Sequence, residues 1–312
     1  DNNLKSIDDL RNEYTEKYIT SWGIKMIMDF KQFKNILNKE IFEESKAKLI
    51  ENIAKSPSRY IGLFRPTKPK AKILQNLLQS HEIRFGDAFE ILIEEYLKKF
   101  SFTILEKKFS TSDDDELNID QCFKKDEKIY FVEQKVRDDH DSTKKRGQIQ
   151  NFEKKLNEMI NKYGEKNLVG FFYFIDPELK KNRKYYDAEL KKMSKDYGVN
   201  LYLNYGEELF TFLGHKEIWQ EILKYLEEWK KEIPELPETN FDLNAQSSFE
   251  EIKDLNPAWF RSILENDEIF NEIVLAIFPE KKTLKLLFEH FKAKTNEKTI
   301  YKTLSEILKK RI

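Results

Sequence analysis

The sequence predicts an α/β protein: a mixed five-stranded sheet flanked by helices, with helical extensions at both ends. Three observations predict it. Five short apolar runs of strand character lie between residues 101 and 205, segments of helical period separate the later ones, and the chain on either side reads as helical.

Residues 1–50 show helical periodicity, with Trp22, Met26, Phe30 and Phe33 recurring along SWGIKMIMDFKQFKNIL. A second helix, EIRFGDAFEILIEEYLKKF (82–100), leads into the strand-like SFTILEKKF (101–109). LNIDQCF (117–123), the turn KKDEK (124–128) and IYFVEQKV (129–136) then form a hairpin. After a polar stretch, a helix over 149–163 carries the stripe Ile149, Phe152, Leu156, Met159 and Tyr163, and Gly164 sits at its C-cap. NLVGFFYFIDP (167–177) reads as a buried strand, followed by a lysine-rich helix and the strand VNLYLNY (199–205). The order is α-β-β-β-α-β, continuing α-β-α.

PELPETNFDLNAQSSF (234–249) is punctuated by proline and has no period, so it reads as a linker. Residues 250–312 read as wholly helical from a capping box, Ser248 to Glu251. The expected organisation is a helical N-terminal region with a basic loop (1–81), a core (82–232), a linker (233–249) and a helical C-terminal region (250–312).

The 312 residues suit one large or two modest domains, and 39% hydrophobic content is enough for a sizeable core. No apolar run reaches membrane-spanning length and no basic-then-apolar leader opens the chain, so the expected location is cytoplasmic, without membrane contact. Cys122 is the single cysteine, which excludes an intrachain disulfide and a cysteine zinc site. No phosphate-binding glycine loop, nucleophile elbow or paired-histidine zinc motif is present. With 55 basic and 56 acidic residues, global charge announces no ligand. Charge is uneven, however. From Asn52 to His81 there are six basic residues, Lys55, Arg59, Arg65, Lys68, Lys70 and Lys72, and no acidic one. Pro57, Pro66 and Pro69 favour an extended, exposed path there, which suits a phosphate backbone or a plain solvated loop.

One strand carries charge where burial is expected. In YFVEQKV (130–136), Glu133 and Lys135 share the face of Phe131. With KKDEK as a tight turn centred between Asp126 and Glu127, Asp120 falls opposite Glu133, with Cβ atoms roughly 4.5–5.5 Å apart. Two carboxylates that close repel unless a cation lies between them, and an all-oxygen set suits Mg²⁺. The competing reading pairs Glu133 with Lys135 or a loop lysine and lets Asp120 open a turn.

Asp120 in NID, EQK at 133–135 at the end of an apolar strand, and the α-β-β-β-α-β order over about residues 82–205 resemble the PD-(D/E)XK nuclease superfamily, and within it the type II restriction endonucleases. Ile119 stands where the motif name has proline. The resemblance implies Mg²⁺-dependent, sequence-specific hydrolysis of double-stranded DNA leaving 5′-phosphate and 3′-hydroxyl ends. Asp120, Glu133 and the main-chain carbonyl of Gln134 would hold the metal, and Lys135 would orient or help deprotonate water and stabilise the transition state. The family's helix glutamate would be Glu90, which shares a face with Gly86, Ile93 and Leu97, whereas Asp87 lies with Ile91, Glu94 and Lys98 on a face that reads as solvated. A repair or resolvase nuclease, and a non-catalytic DNA-binding protein on a similar fold, are the alternatives.

DNA contacts are expected from Arg59, Arg65, Lys68 and Lys70, and from Arg137, Lys144, Lys145, Arg146, Gln148 and Gln150. The lysine–arginine cluster lies by a helix N-terminus, where side-chain charge and free backbone N–H groups can clamp phosphate. The glutamines can read adenine edges. Asp138, Asp139, His140 and Asp141 have spacing too uneven for a metal cluster. The helices joined near 294–297 are compatible with a helix-turn-helix presenting Lys298, Thr299 and Lys302, or with a supporting bundle or dimer interface. His215 and His290 read as helix packing residues. A palindromic site would call for a homodimer and a distant cut for a monomer. A cognate methyltransferase would be the genetic partner.

Overall fold

A computed structural model of the chain describes residues 26–43, 45–110 and 116–312. Trp22, placed on the first helical stripe, lies outside them. In chain order the elements are α1 (Phe30–Phe42), α2 (Ser45–Lys55), α3 (Pro69–Lys99), β1 (Thr103–Ile104), β2 (Lys108–Ser110), β3 (Glu116–Asn118), β4 (Gln121–Lys125) and β5 (Lys128–Lys135). They continue with α4 (Ser142–Tyr163), β6 (Leu168–Phe174), α5 (Arg183–Tyr197), β7 (Asn200–Tyr205), α6 (Glu207–Phe212) and α7 (Lys216–Lys230). Last come α8 (Ala245–Ile252), α9 (Pro257–Leu264), the run α10 (Asp267–Ile269, Phe270–Val274 and Leu275–Ile277), α11 (Lys282–Ala293) and α12 (Thr299–Arg311).

The described residues divide into two units, those up to Phe33 with 93–228, and 34–92 with 229–312, so the boundaries fall inside α1, α3 and α7. The first unit holds the expected five-stranded mixed sheet, in the order β1-β4-β5-β6-β7. β1, β4 and β5 are antiparallel neighbours, while β5, β6 and β7 run parallel. Both parallel crossovers are helices, α4 and α5, as parallel pairing requires. β6 is buried along its whole length, which explains its unbroken apolar run.

Two expected strands are each broken. SFTILEKKF splits into β1 and β2, and LNIDQCF into β3 and β4, because β2 and β3 pair with each other in a separate ribbon. The chain passes from ribbon to sheet at Ile119 and Asp120. The turn is as expected: Lys125 pairs with Lys128, leaving Asp126 and Glu127 as a two-residue loop with Asp126 at φ 55°.

Gly170 pairs with Phe131 across β5 and β6. A Cβ there would stand 2.6 Å from the Phe131 ring and 2.7 Å from Leu201 Cδ2, so only glycine lets the ring lie over β6. Gly170→Ala is expected to destabilise this unit by about 1–3 kcal/mol, read as a lower denaturation midpoint at unchanged slope. On the same face Phe131 stacks on Phe152 of α4. Cys122 is buried beneath, and burial pushes its thiol up to about 12. Elsewhere in this unit the buried Glu221 of α7 accepts from the backbone of Ile27 and Met28 and from Tyr96 Oη.

The second unit is helical. α3 begins at Pro69, within the stretch expected to be extended, because proline's fixed φ and missing N–H fit a first helical turn. The expected boundary at 81/82 falls inside this helix. The segment read as a linker packs instead: Phe241 is 1% exposed in the core with Tyr60, Ile73, Leu284 and Phe291, and the buried Asp242 accepts from Glu280 N and Thr283 N. Its aromatic and its acid find partners about forty residues on, which periodicity cannot reveal. The capping box is also corrected. Asn244 caps α8, Ser248 is buried, and Glu251 accepts from the backbone of Lys46 and Ala47 at the start of α2.

His81 and His290 have buried Nε2 atoms with no hydrogen-bond partner among the described residues. Burial first, then the charge of Arg84 or Lys294, holds each imidazole below its ordinary value of 6.5. The folded unit thus binds fewer protons than the unfolded chain below that pH, and stability must fall toward acid. His81→Phe, which keeps a ring against Phe42, is expected to flatten this loss. The difference approaches about 1.4 kcal/mol per pH unit and is measured from urea midpoints at neutral and acid pH.

Candidate active site

The β4–β5 register, Gln121 with Val132 and Cys122 with Phe131, extends by one step to bring Asp120 opposite Glu133. Asp120 Oδ2 accepts the Gln134 N–H at 2.7 Å, taking up a backbone donor at the strand break. Glu133 is 1% exposed and faces α4, like Phe131 two residues before it.

Four charges alternate around this point. Lys135 Nζ lies 2.7 Å from Glu133 Oε1 and 3.5 Å from Asp120 Oδ2. Lys155 Nζ lies 3.2 Å from Asp120 Oδ1 and bonds Glu133 Oε2 as well. Each carboxylate therefore touches both ammonium groups, and the set is neutral. Such pairing is what allows charges to be buried at all. Burial pulls the Lys135 ammonium down, but the charges of Glu133 and Asp120 and its hydrogen bonds to them outweigh it, and its pKa stands above the ordinary lysine value. Lys135 also donates to the Gln134 carbonyl at 2.9 Å.

Lys155 escaped the sequence reading, yet the signal was there. It lies three residues after Phe152 and four before Met159, on the buried stripe of α4, and a lysine on such a stripe needs a partner. Glu94 was misread as solvated. Its carboxylate pairs with Lys107 at 2.6 Å, and Lys107 also donates to the Asp120 carbonyl at 3.2 Å, so α3 reaches the strand break through Glu94. Glu90 lies one turn earlier on α3, in the other unit, and is half-buried. Among the described residues no group of three or more His, Cys, Asp or Glu side chains is arranged to hold a metal.

A family model described as type II restriction endonuclease, HinfI, matches residues 30–112 and 102–230, well over half of the chain. The chain belongs to this family. Neither the curated proteins nor the solved structures contain a match to it. As a HinfI-type restriction endonuclease it has the restriction-endonuclease-like fold expected from Asp120, EQK and the element order, and its substrate class is DNA. No helix among the described residues is long and apolar enough to cross a membrane.

In this restriction endonuclease the residues singled out for DNA lie in two regions. Arg137 is exposed just after β5, and the next residue, Asp138, is fully buried. Asp138 accepts from Asn182 N, Asn182 Nδ2 and Tyr205 Oη, each at 2.8 Å, so it pins the loop rather than facing a ligand. Lys144, Lys145 and Arg146 occupy the first turns of α4, which begins earlier than expected because Asp141 caps it. Asp141 takes the N–H groups of Thr143 and Lys144, so these two backbone donors are already engaged. Gln148 Oε1 accepts from Tyr186 Oη, whereas Gln150 is exposed. Arg59, Arg65, Lys68 and Lys70 are exposed in the helical unit. Lys298, Thr299 and Lys302 are exposed at the start of α12, and His215 lies in the turn before α7, against Phe100.

Proposed function

We propose that the chain hydrolyses double-stranded DNA at a specific sequence with Mg²⁺, leaving 5′-phosphate and 3′-hydroxyl ends. The alternation of Asp120 and Glu133 with Lys135 and Lys155 carries the reading: two carboxylates meet where the strand register predicts, in a setting built for positive charge. The donor set of Asp120, Glu133 and the Gln134 carbonyl is all oxygen, the set Mg²⁺ takes, and Glu90 is the proposed third acid. A Mg²⁺ ion held there supplies Lewis-acid polarisation of the phosphate and neutralises charge on the leaving oxygen.

The protein's own groups do the rest. Held protonated by its neighbours, Lys135 donates to the phosphate oxygens where charge builds and orients the attacking water. Lys155, paired with both, keeps the two carboxylates from repelling each other. Arg137, Lys144, Lys145 and Arg146 grip phosphates beside the sheet, with Gln148 and Gln150 nearest to read bases, and Arg59, Arg65, Lys68 and Lys70 hold the backbone from the helical unit. A homodimer on a palindromic site, a cognate methyltransferase and a cytoplasmic location belong to the same proposal.

The test is a digest of phage-length DNA with Mg²⁺ beside an EDTA control. Discrete bands that vanish with EDTA are expected. A smear would replace sequence-specific cleavage by repair-type cleavage, and intact DNA across purified preparations and salt conditions would overturn the proposal.

A further inference from the structure

Leu63 and Phe64 are 92% and 97% exposed, the two most exposed large apolar side chains among the described residues. They sit at the tip of a loop whose ends are fastened. Tyr60, at its start, is buried in the helical core, and Ile73 and Leu77 of α3 enter the same core beyond its end. A turn closes the tip, with Arg65 N donating to Gly62 O at 3.1 Å and Gly62 at φ 142°. Pro66 restricts the backbone within the loop, and Pro57 and Pro69 restrict it on either side.

What surrounds them selects the partner. Arg59, Arg65, Lys68 and Lys70 are all exposed, and none pairs with a carboxylate among the described residues. The nearest acids in the chain are Glu51 and Glu82. Of these two, Glu51 is already paired to Lys48 and Lys55. An apolar tip flanked along the chain by exposed cations does not suit a second copy of itself, because the like charges would repel. It suits a polyanion with an apolar interior, and the DNA duplex is one: phosphates on the outside, stacked bases within. Proteins that bend DNA insert such apolar wedges between base steps while flanking cations hold the phosphates.

We infer that Leu63 and Phe64 form a wedge that enters the base stack of the bound duplex, with Arg59, Arg65, Lys68 and Lys70 clamping the phosphates on either side. This rests on the proposed DNA-cleaving function and adds a distortion of the substrate to it. Sequence preference would then arise in part from how easily a base step unstacks.

Insertion unwinds the helix, so the test needs no knowledge of the recognition site. A closed plasmid is relaxed with a metal-independent topoisomerase in EDTA, with and without the protein, and its topoisomers are separated. Wild type is expected to shift the distribution. The Leu63→Ser/Phe64→Ser variant, altered only at exposed positions, is expected to lose the shift. Its affinity should fall on the order of tenfold, the value of one or two stacking contacts, with unchanged salt dependence. Arg65→Ala/Lys68→Ala is expected to lower the slope of log affinity against log salt by about 2.

An equal shift from wild type and the serine variant would overturn the wedge, as would wild type that binds without any shift. So would a serine variant that turns from dimer to monomer in sedimentation, because the tip would then be a self-association surface. The two proposals fail separately: DNA cleaved with Mg²⁺ but not unwound removes the wedge alone, whereas absence of both binding and cleavage removes the nuclease reading with it.

Discussion

Lys135→Ala is expected to lower the single-turnover cleavage rate by about 10²–10³-fold or more, the usual loss when one preorganised donor to a developing charge is removed. DNA binding should be retained. Lys135 touches Glu133, Asp120 and the Gln134 carbonyl at once, so its ammonium stands beside every proposed metal ligand. The raised pKa means that it keeps its proton through the neutral range, and its loss removes a fixed positive charge rather than a base. The fold should tolerate the change because Lys155 still bridges both carboxylates. Rates on plasmid DNA and gel-shift affinities, measured side by side, separate the two effects. Cleavage at the wild-type rate would remove Lys135 from the site.

Lys155→Met has a different expected signature, in stability and in metal dependence. The change keeps an unbranched side chain on the buried stripe of α4 but deletes one of two cations. Glu133 is 1% exposed and Lys155 6%, so water cannot make good the loss. Removing one partner of a buried pair costs about 3–5 kcal/mol. For a unit of this size that lowers Tm on the order of 10 °C in EDTA. On the proposed reading, a divalent cation would compete with Lys155 for the same two carboxylates. Added Mg²⁺ or Ca²⁺ should therefore raise Tm more in the variant than in wild type, by mass action on the folded state. Asp120→Asn in the same background should abolish that gain. Equal metal-induced rises in wild type and the Lys155 variant would show that the ammonium and the metal do not share a place.

Much of the site was legible because it is local. Alternation along β5 put Phe131, Glu133 and Lys135 on one face, and a two-residue turn at Asp126 and Glu127 counted Asp120 to its place opposite Glu133. The same locality made Gly164, at φ 73° with its N–H on Ile160 O, readable as the end of α4. Asp141 went unread as the cap of that helix because a run of three acids and a histidine offers several equivalent caps, and only the closed hydrogen bonds choose one.

The sequence by itself determined the order of elements, the hairpin register and the Asp120–Glu133–Lys135 constellation, since these follow from periods of two and 3.6 and from turn length. Tertiary structure alone decided that Lys155, twenty-two residues beyond Glu133 and on another element, completes the charge balance. It also decided that Glu94 supports Asp120 through Lys107, that two apparent strands break where a ribbon leaves the sheet, and that Phe241 and Asp242 belong to a core. The physical reason is common to all four. A buried charge or ring is stabilised by whichever group the fold brings against it, and spacing along the chain carries no record of that partner.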